Sequence, residues 1–167
     1  KKSGAKIFIK NKKIINGETI GDLIVKSSRL KPIFSSAKEF STMVDEFPIL
    51  FVIAALTPGN SIFKGLEDLK NKESDRINEM KKIIQTLGIP FEYKKSTVKI
   101  KGTKKKDYID KTLKVPNLKD HRICMSASVL ALISGAQTNI KNFETVFTSS
   151  PSFLKIVKQL GGEFEKK

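Results

Sequence analysis

The stretch Ile83–Glu92, IIQTLGIPFE, has a near-copy at Ile156–Glu165, IVKQLGGEFE. In both, a pair of apolar residues runs through Leu-Gly into Phe-Glu, and a glycine there marks the end of a helix. Working outward, ESDRINEMKKIIQTLG (73–88) reads as the helix that ends at Gly88, and the strand SIFKG (61–65) precedes it. Before that, DEFPILFVIAALTPG (45–59) reads as a buried helix with Asp45 as N-cap and Pro48 in its first turn. The strands PFEYKK (90–95) and TVKIKG (97–102) complete the unit. The order then recurs: the helix DHRICMSASVLALISG (120–135) with Asp120 as N-cap, the strand TNIKNF (138–143), the helix SSPSFLKIVKQLGG (149–162) and the strand EFEKK (163–167). In the last helix Ser150 reads as N-cap and Pro151 as first residue. Asp45 and Gly88 are 43 positions apart, Asp120 and Gly161 are 41 apart. These intervals predict an internal duplication, with repeats at about 45–102 and 120–167, and an α/β (α+β) fold of mixed sheets with helices packed on them.

Two alternating stretches precede the repeats, KIFIK and TIGDLIVKSS, with a turn signal at Asn16-Gly17. Between the repeats, KIKGTKKKDYID (99–110) reads as a lysine-rich connection. A phosphate-attracting rim and a solvated loop both fit it, and charge runs favour the loop.

A chain of 167 residues, 39% hydrophobic and 29% charged, is long enough to bury a core. Its one cysteine, Cys124, excludes a disulfide framework, and its one histidine, His121, leaves no zinc ligand set. No apolar run reaches the length of about 18 residues needed to span a membrane. The start, KKSGAKIFIK, has neither an initiating Met nor a signal peptide's apolar stretch. The expectation is a cytoplasmic protein, or a piece of one, without membrane partner or metal. A formal charge of +15 raises nucleic acid as a partner. Yet only Arg29, Arg76 and Arg122 among the 32 basic residues are arginine. Nucleic-acid readers lean on arginine and exposed aromatics, so the expectation is no nucleic-acid partner. Each arginine instead stands out as a bidentate grip for carboxylate or phosphate.

Two of them sit at helix starts. Lys72, Glu73, Asp75 and Arg76 are ionised residues within five positions. On a wheel drawn from Glu73, the apolar stripe Ile77, Met80, Ile84, Leu87 continues back to Glu73, with Arg76 flanking it and Lys72 four residues before Arg76. Arg122 repeats the arrangement in the first turn after Asp120, on the side of Met125, Val129, Leu132 and Ile133. Helix N-termini suit anions. The competing reading is two local ion pairs, Glu73 with Arg76 and Asp120 with Arg122, each worth less than about 1 kcal/mol. Spacing leaves both open. His121 reads as a structural or capping residue, Cys124 as core, and Arg29 as an exposed strand end.

At these residues the chain resembles the 5-enolpyruvylshikimate-3-phosphate (EPSP) synthase family. The family's K-E-S/T-D-R signature stands at Lys72–Arg76, D-H-R-x-x-M at Asp120–Met125, D-E-x-P-x-L at Asp45–Leu50 and T-S-x-P-x-F at Thr148–Phe153. The resemblance covers nearly all of the chain but about the last two-fifths of a typical member. It implies repeated βαβαββ units forming most of one lobe, the C-terminal one, of a two-lobed fold, with the N-terminal lobe absent from these residues. It implies transfer of enolpyruvyl from phosphoenolpyruvate to shikimate 3-phosphate, by addition and elimination, in a protein that is a monomer at full length. By the same resemblance Arg76 and Arg122 hold phosphoenolpyruvate and Lys72 helps hold shikimate 3-phosphate. Asp45 binds the shikimate hydroxyl region and takes the proton of the 5-hydroxyl, and Glu73 moves a proton on and off the methylene carbon. No cofactor is implied. The isolated chain is expected to lack turnover, because half of each site lies elsewhere. A relative that acts on a UDP-amino sugar shares the fold but not these signatures. The chain departs from the family at Lys70-Asn71, at Lys31-Pro32, and at Ser149-Ser150-Pro151, where some members carry a phosphoenolpyruvate-binding lysine.

Overall fold

A computed structural model of the chain describes residues 2–104 and 107–165. The chain opens with an antiparallel hairpin, β1 (Lys6–Ile15) and β2 (Glu18–Lys26), turned at Asn16-Gly17, where both residues take positive φ. A four-stranded sheet follows in the order β3-β4-β6-β5: β3 (Phe34–Ser35), β4 (Gly59–Lys64), β5 (Phe91–Lys94) and β6 (Thr97–Gly102). β3 runs parallel to β4, whereas β6 is antiparallel to both β4 and β5. A parallel pair, β7 (Thr112–Val115) and β8 (Gln137–Ile140), lies in the second half. The helices are α1 (Phe40–Met43), α2 (Phe47–Ala55), α3 (Arg76–Thr86), α4 (His121–Ser134) and α5 (Phe153–Gln159).

The core forms where α2, α3 and α4 pack on one another and on the four-stranded sheet. α2 is apolar on nearly every side; its Phe47 and Phe51, tilted against each other, both meet Phe63 of β4 edge-on, and Phe51 also meets Phe91 of β5 edge-on, with centroids 5.1–6.1 Å apart. The end of α2 lies so close to β6 that a Cβ on Gly102 would stand 2.0 Å from the Thr57 carbonyl oxygen. Only glycine allows that approach. On α3 the expected stripe of Ile77, Met80, Ile84 and Leu87 is buried, joined by Ile83.

Several boundaries move. α3 begins at Arg76, not Glu73, because Asp75 turns out of helical geometry and its Oδ1 accepts the Asn78 N–H at 3.0 Å. Lys72, Glu73 and Ser74 form the approach to the helix. Asp45 is not the N-cap of α2 but part of a 3-10 turn, Val44–Glu46, that leads into it. α5 starts at Phe153 after Ser152, so Ser150 and Pro151 lie in the preceding turn. Residues 163–165 of the expected strand EFEKK are not in a strand, and its last two residues lie outside the described residues, as do Lys105 and Lys106 of the lysine-rich connection. The two-residue β3 is too short to show alternation, and β7, TLKV with Leu113 and Val115 buried, alternates but is only four residues long.

Candidate active site

Arg76 has no exposed side-chain surface, a place that a guanidinium occupies only when its N–H groups are satisfied. Three carboxylates surround it. Nε donates to Asp120 Oδ2 at 3.0 Å, one terminal nitrogen to Asp45 Oδ1 at 3.0 Å, and the other to Glu73 Oε2 at 2.5 Å. Burial pulls the Arg76 pKa down, but the bonds to Asp120 and Asp45 outweigh it and raise the value above that of an ordinary arginine.

Asp120 is as deeply buried as Arg76. Its Oδ2 also accepts the Ser74 hydroxyl at 2.9 Å, and its Oδ1 accepts the Arg122 backbone N–H at 3.1 Å, capping α4. The expected Asp120–Arg122 ion pair therefore takes another form. The Arg122 side chain reaches away from α4 to Asp45, donating to the Asp45 carbonyl at 3.0 Å and lying 3.3 Å from Asp45 Oδ2, with Glu46 at 3.6 Å. The local pair Glu73–Arg76 is present as expected.

Asp45 thus lies between the two guanidinium groups, one carboxylate oxygen toward each. The bond from Arg76, then the charges of Arg122, Arg76 and Lys72, hold its pKa below the ordinary value of 3.8 despite opposing burial. Lys72 is exposed, and its charge acts on the same carboxylate. Asp45, Glu73, Lys72, Arg76 and Arg122 are brought to one place. The rim is open: Asp45 and Glu73 are about half exposed, and a shallow hollow of 210 Å³ lined by Ser41–Glu46 adjoins Asp45. Arg122 extends from the less buried side of α4, the side of Met125, Val129 and Ile133, while Ile123, Cys124, Ala127 and Leu130 face the core. The role of Asp120 as the shared partner of Arg76 and Ser74 escapes a reading by local spacing, since 44 and 46 positions separate it from them.

Arg29 lies in an exposed segment after β2, apart from this cluster. Cys124 is fully buried, and burial pushes its thiol up to about 11, aided by the Asp120 charge. Among the described residues no group of His, Cys, Asp and Glu has the arrangement of a metal site, and no helix is long and apolar enough to cross a membrane.

The family model for EPSP synthase (3-phosphoshikimate 1-carboxyvinyltransferase) matches residues 4–157. The chain belongs to the EPSP synthase family. It is 38% identical over 167 residues to the 3-phosphoshikimate 1-carboxyvinyltransferase of Zymomonas mobilis, covering 99% of this chain and 37% of that protein. It is 36% identical over 160 residues to the enzyme of that name from Petrotoga mobilis, covering 96% of this chain and 36% of the relative. A solved EPSP synthase structure from Acinetobacter baumannii superposes with a TM-score of 0.84 at 31% identity, covering 95% of this chain and 37% of that one. The chain spans little more than a third of the length of these EPSP synthases, and its mixture of helices and strands is theirs.

Proposed function

We propose that the protein to which this chain contributes transfers the enolpyruvyl group of phosphoenolpyruvate to the 5-hydroxyl of shikimate 3-phosphate and releases phosphate. Residues 1–167 then form most of its C-terminal lobe, and an N-terminal lobe outside these residues closes over them. The observation that carries this reading is Asp45 set between Arg76 and Arg122, an acceptor for a hydroxyl proton flanked by two grips for an anionic co-substrate.

The chemistry follows from the positions. Phosphoenolpyruvate presents a carboxylate and a phosphate, and two guanidinium groups on neighbouring helix starts match it bidentately. To bind at Arg76 it displaces the half-exposed Asp45 and Glu73, while buried Asp120 keeps Nε in place. Lys72, at the rim, meets the phosphate of shikimate 3-phosphate. The freed carboxylates then have work. Asp45 accepts the proton of the 5-hydroxyl as its oxygen bonds to the central carbon of phosphoenolpyruvate, and Glu73 delivers a proton to the methylene. In the second step the carbon–oxygen bond to phosphate breaks, the departing phosphate takes the proton held by Asp45, and Glu73 recovers a proton from the methyl group, so both carboxyls return to their starting states. No metal or organic cofactor is required. The full-length protein is a cytoplasmic monomer in this reading.

The test is phosphate release by the full-length protein. Release is expected with phosphoenolpyruvate plus shikimate 3-phosphate and not with a UDP-amino sugar, and these 167 residues alone are expected to give none. Release with the amino sugar only, or turnover by the isolated chain, overturns the proposal.

A further inference from the structure

Between Leu69 and Arg76, both fully buried, the chain crosses the rim of the site without another buried residue. The Lys70 ammonium lies over the Tyr93 ring at 4.5 Å, and Asp75 belongs to the cap of α3. Lys72, Glu73 and Ser74, between them, are in neither helix nor strand. Yet Lys72 and Glu73 are two of the residues on which the proposed transfer depends. Among the described residues, two side-chain hydrogen bonds tie this segment to the rest of the chain. Arg76 donates to Glu73 Oε2 at 2.5 Å, and the Ser74 hydroxyl donates to Asp120 Oδ2 at 2.9 Å.

Substrate binding treats the two bonds differently. Glu73 is half-exposed, and its bond to Arg76 is one that phosphoenolpyruvate displaces. Asp120 has no exposed side-chain surface, and every bond to it is made inside the protein. Its Oδ2 takes the Ser74 hydroxyl beside Arg76 Nε, and its Oδ1 takes the Arg122 backbone N–H. Once Glu73 has left Arg76, the Ser74 bond is the side-chain hydrogen bond that still fixes the segment to the buried pair. Glu73 then has to deliver a proton to one particular carbon, and a misplacement of about 1 Å can slow such a step by about 10²-fold.

We infer that the Ser74 hydroxyl positions Glu73 for proton transfer in the loaded site, by anchoring the Lys72–Ser74 segment to Asp120. Ser74 is a positioning residue in this role. It acts through Asp120 and through its chain neighbour Glu73, not by touching substrate. The inference rests on the proposed role of Glu73.

The test is steady-state phosphate release by the full-length protein carrying Ser74→Thr or Ser74→Val. The two replacements have the same shape and differ in the hydroxyl, and the half-burial of Ser74 leaves room for the added methyl groups. Circular dichroism checks that each variant is folded at the assay temperature. Ser74→Thr is expected to keep a kcat near that of wild type. Ser74→Val is expected to lower kcat by about 10–10²-fold. KM for phosphoenolpyruvate should stay near the wild-type value, because both arginines keep their places. The same replacement is then made in a Glu73→Gln protein. With no carboxyl left to position, Ser74→Val should leave the residual rate unchanged, whereas a hydroxyl that only supports the fold would cost as much in either background. A Val variant as fast as the Thr variant, or a loss repeated in full beside Glu73→Gln, overturns the inference and leaves the proposed function standing. A Glu73→Gln protein with the kcat of wild type overturns the role of Glu73, and the inference with it.

Discussion

Arg76 shows how far a charged residue can go into a core when its partners come with it. With Asp120 fully buried on Nε, removing that carboxylate leaves a desolvated guanidinium partly unpaired. Asp120→Ala is therefore expected to destabilise the chain by about 3–5 kcal/mol in urea unfolding, far beyond the effect of a surface pair. A loss under about 1 kcal/mol would show that Arg76 does not need this partner. Asp45 gives the pH dependence. Its folded-state pKa is lowered, so its contribution to stability is complete above the ordinary value of 3.8 and is lost as pH falls through the lower folded value. Thermal unfolding of Asp45→Asn should then show a shallower decline on the acid side of pH 4 than wild type. Cys124, buried with its thiol raised to about 11, should resist alkylation at neutral pH until the chain unfolds. Rapid labelling of the folded chain would contradict that environment.

At the scale of elements, what the sequence made legible was what depends on near neighbours. The apolar stripe of α3, the glycine after it, the cap of α4 by Asp120 and the Asn16-Gly17 turn are local matters, and the structure has them as expected. Gly88 and Gly161 both take positive φ, which explains why Leu-Gly recurs at both helix ends. The helical wheel carries α3 back to Glu73, yet Asp75 competes as a cap, so the helix starts at Arg76 and Glu73 is free to turn toward Arg76. Strands β3 and β7 are held by parallel partners 28 and 25 positions away, and stretches of two and four residues are too short to announce themselves, even though β7 alternates polar and apolar residues. The bond from Arg76 to Asp120 belongs to the same class of long-range fact. The packing of α2 on β6 yields a sharper expectation: Gly102→Ala places a methyl group against the Thr57 and Ala54 carbonyl oxygens and should lower the unfolding midpoint markedly. An unchanged midpoint would mean that α2 and β6 can separate freely.

For the whole molecule, the two signature segments matter together rather than singly. Each supplies one arginine, and the turn before α2 supplies the carboxylate between them, so the cluster exists only because α2, α3 and α4 meet in one core. That arrangement leaves the rim of Asp45, Glu73 and Lys72 open on the side where a second lobe is proposed to close. The most direct test is steady-state phosphate release by the full-length protein carrying Arg122→Ala, with shikimate 3-phosphate saturating and phosphoenolpyruvate varied. Loss of one preorganised cationic donor should lower kcat/KM for phosphoenolpyruvate by about 10²–10³-fold while the fold is retained. An Arg122→Ala protein that turns over phosphoenolpyruvate as wild type does would contradict the account.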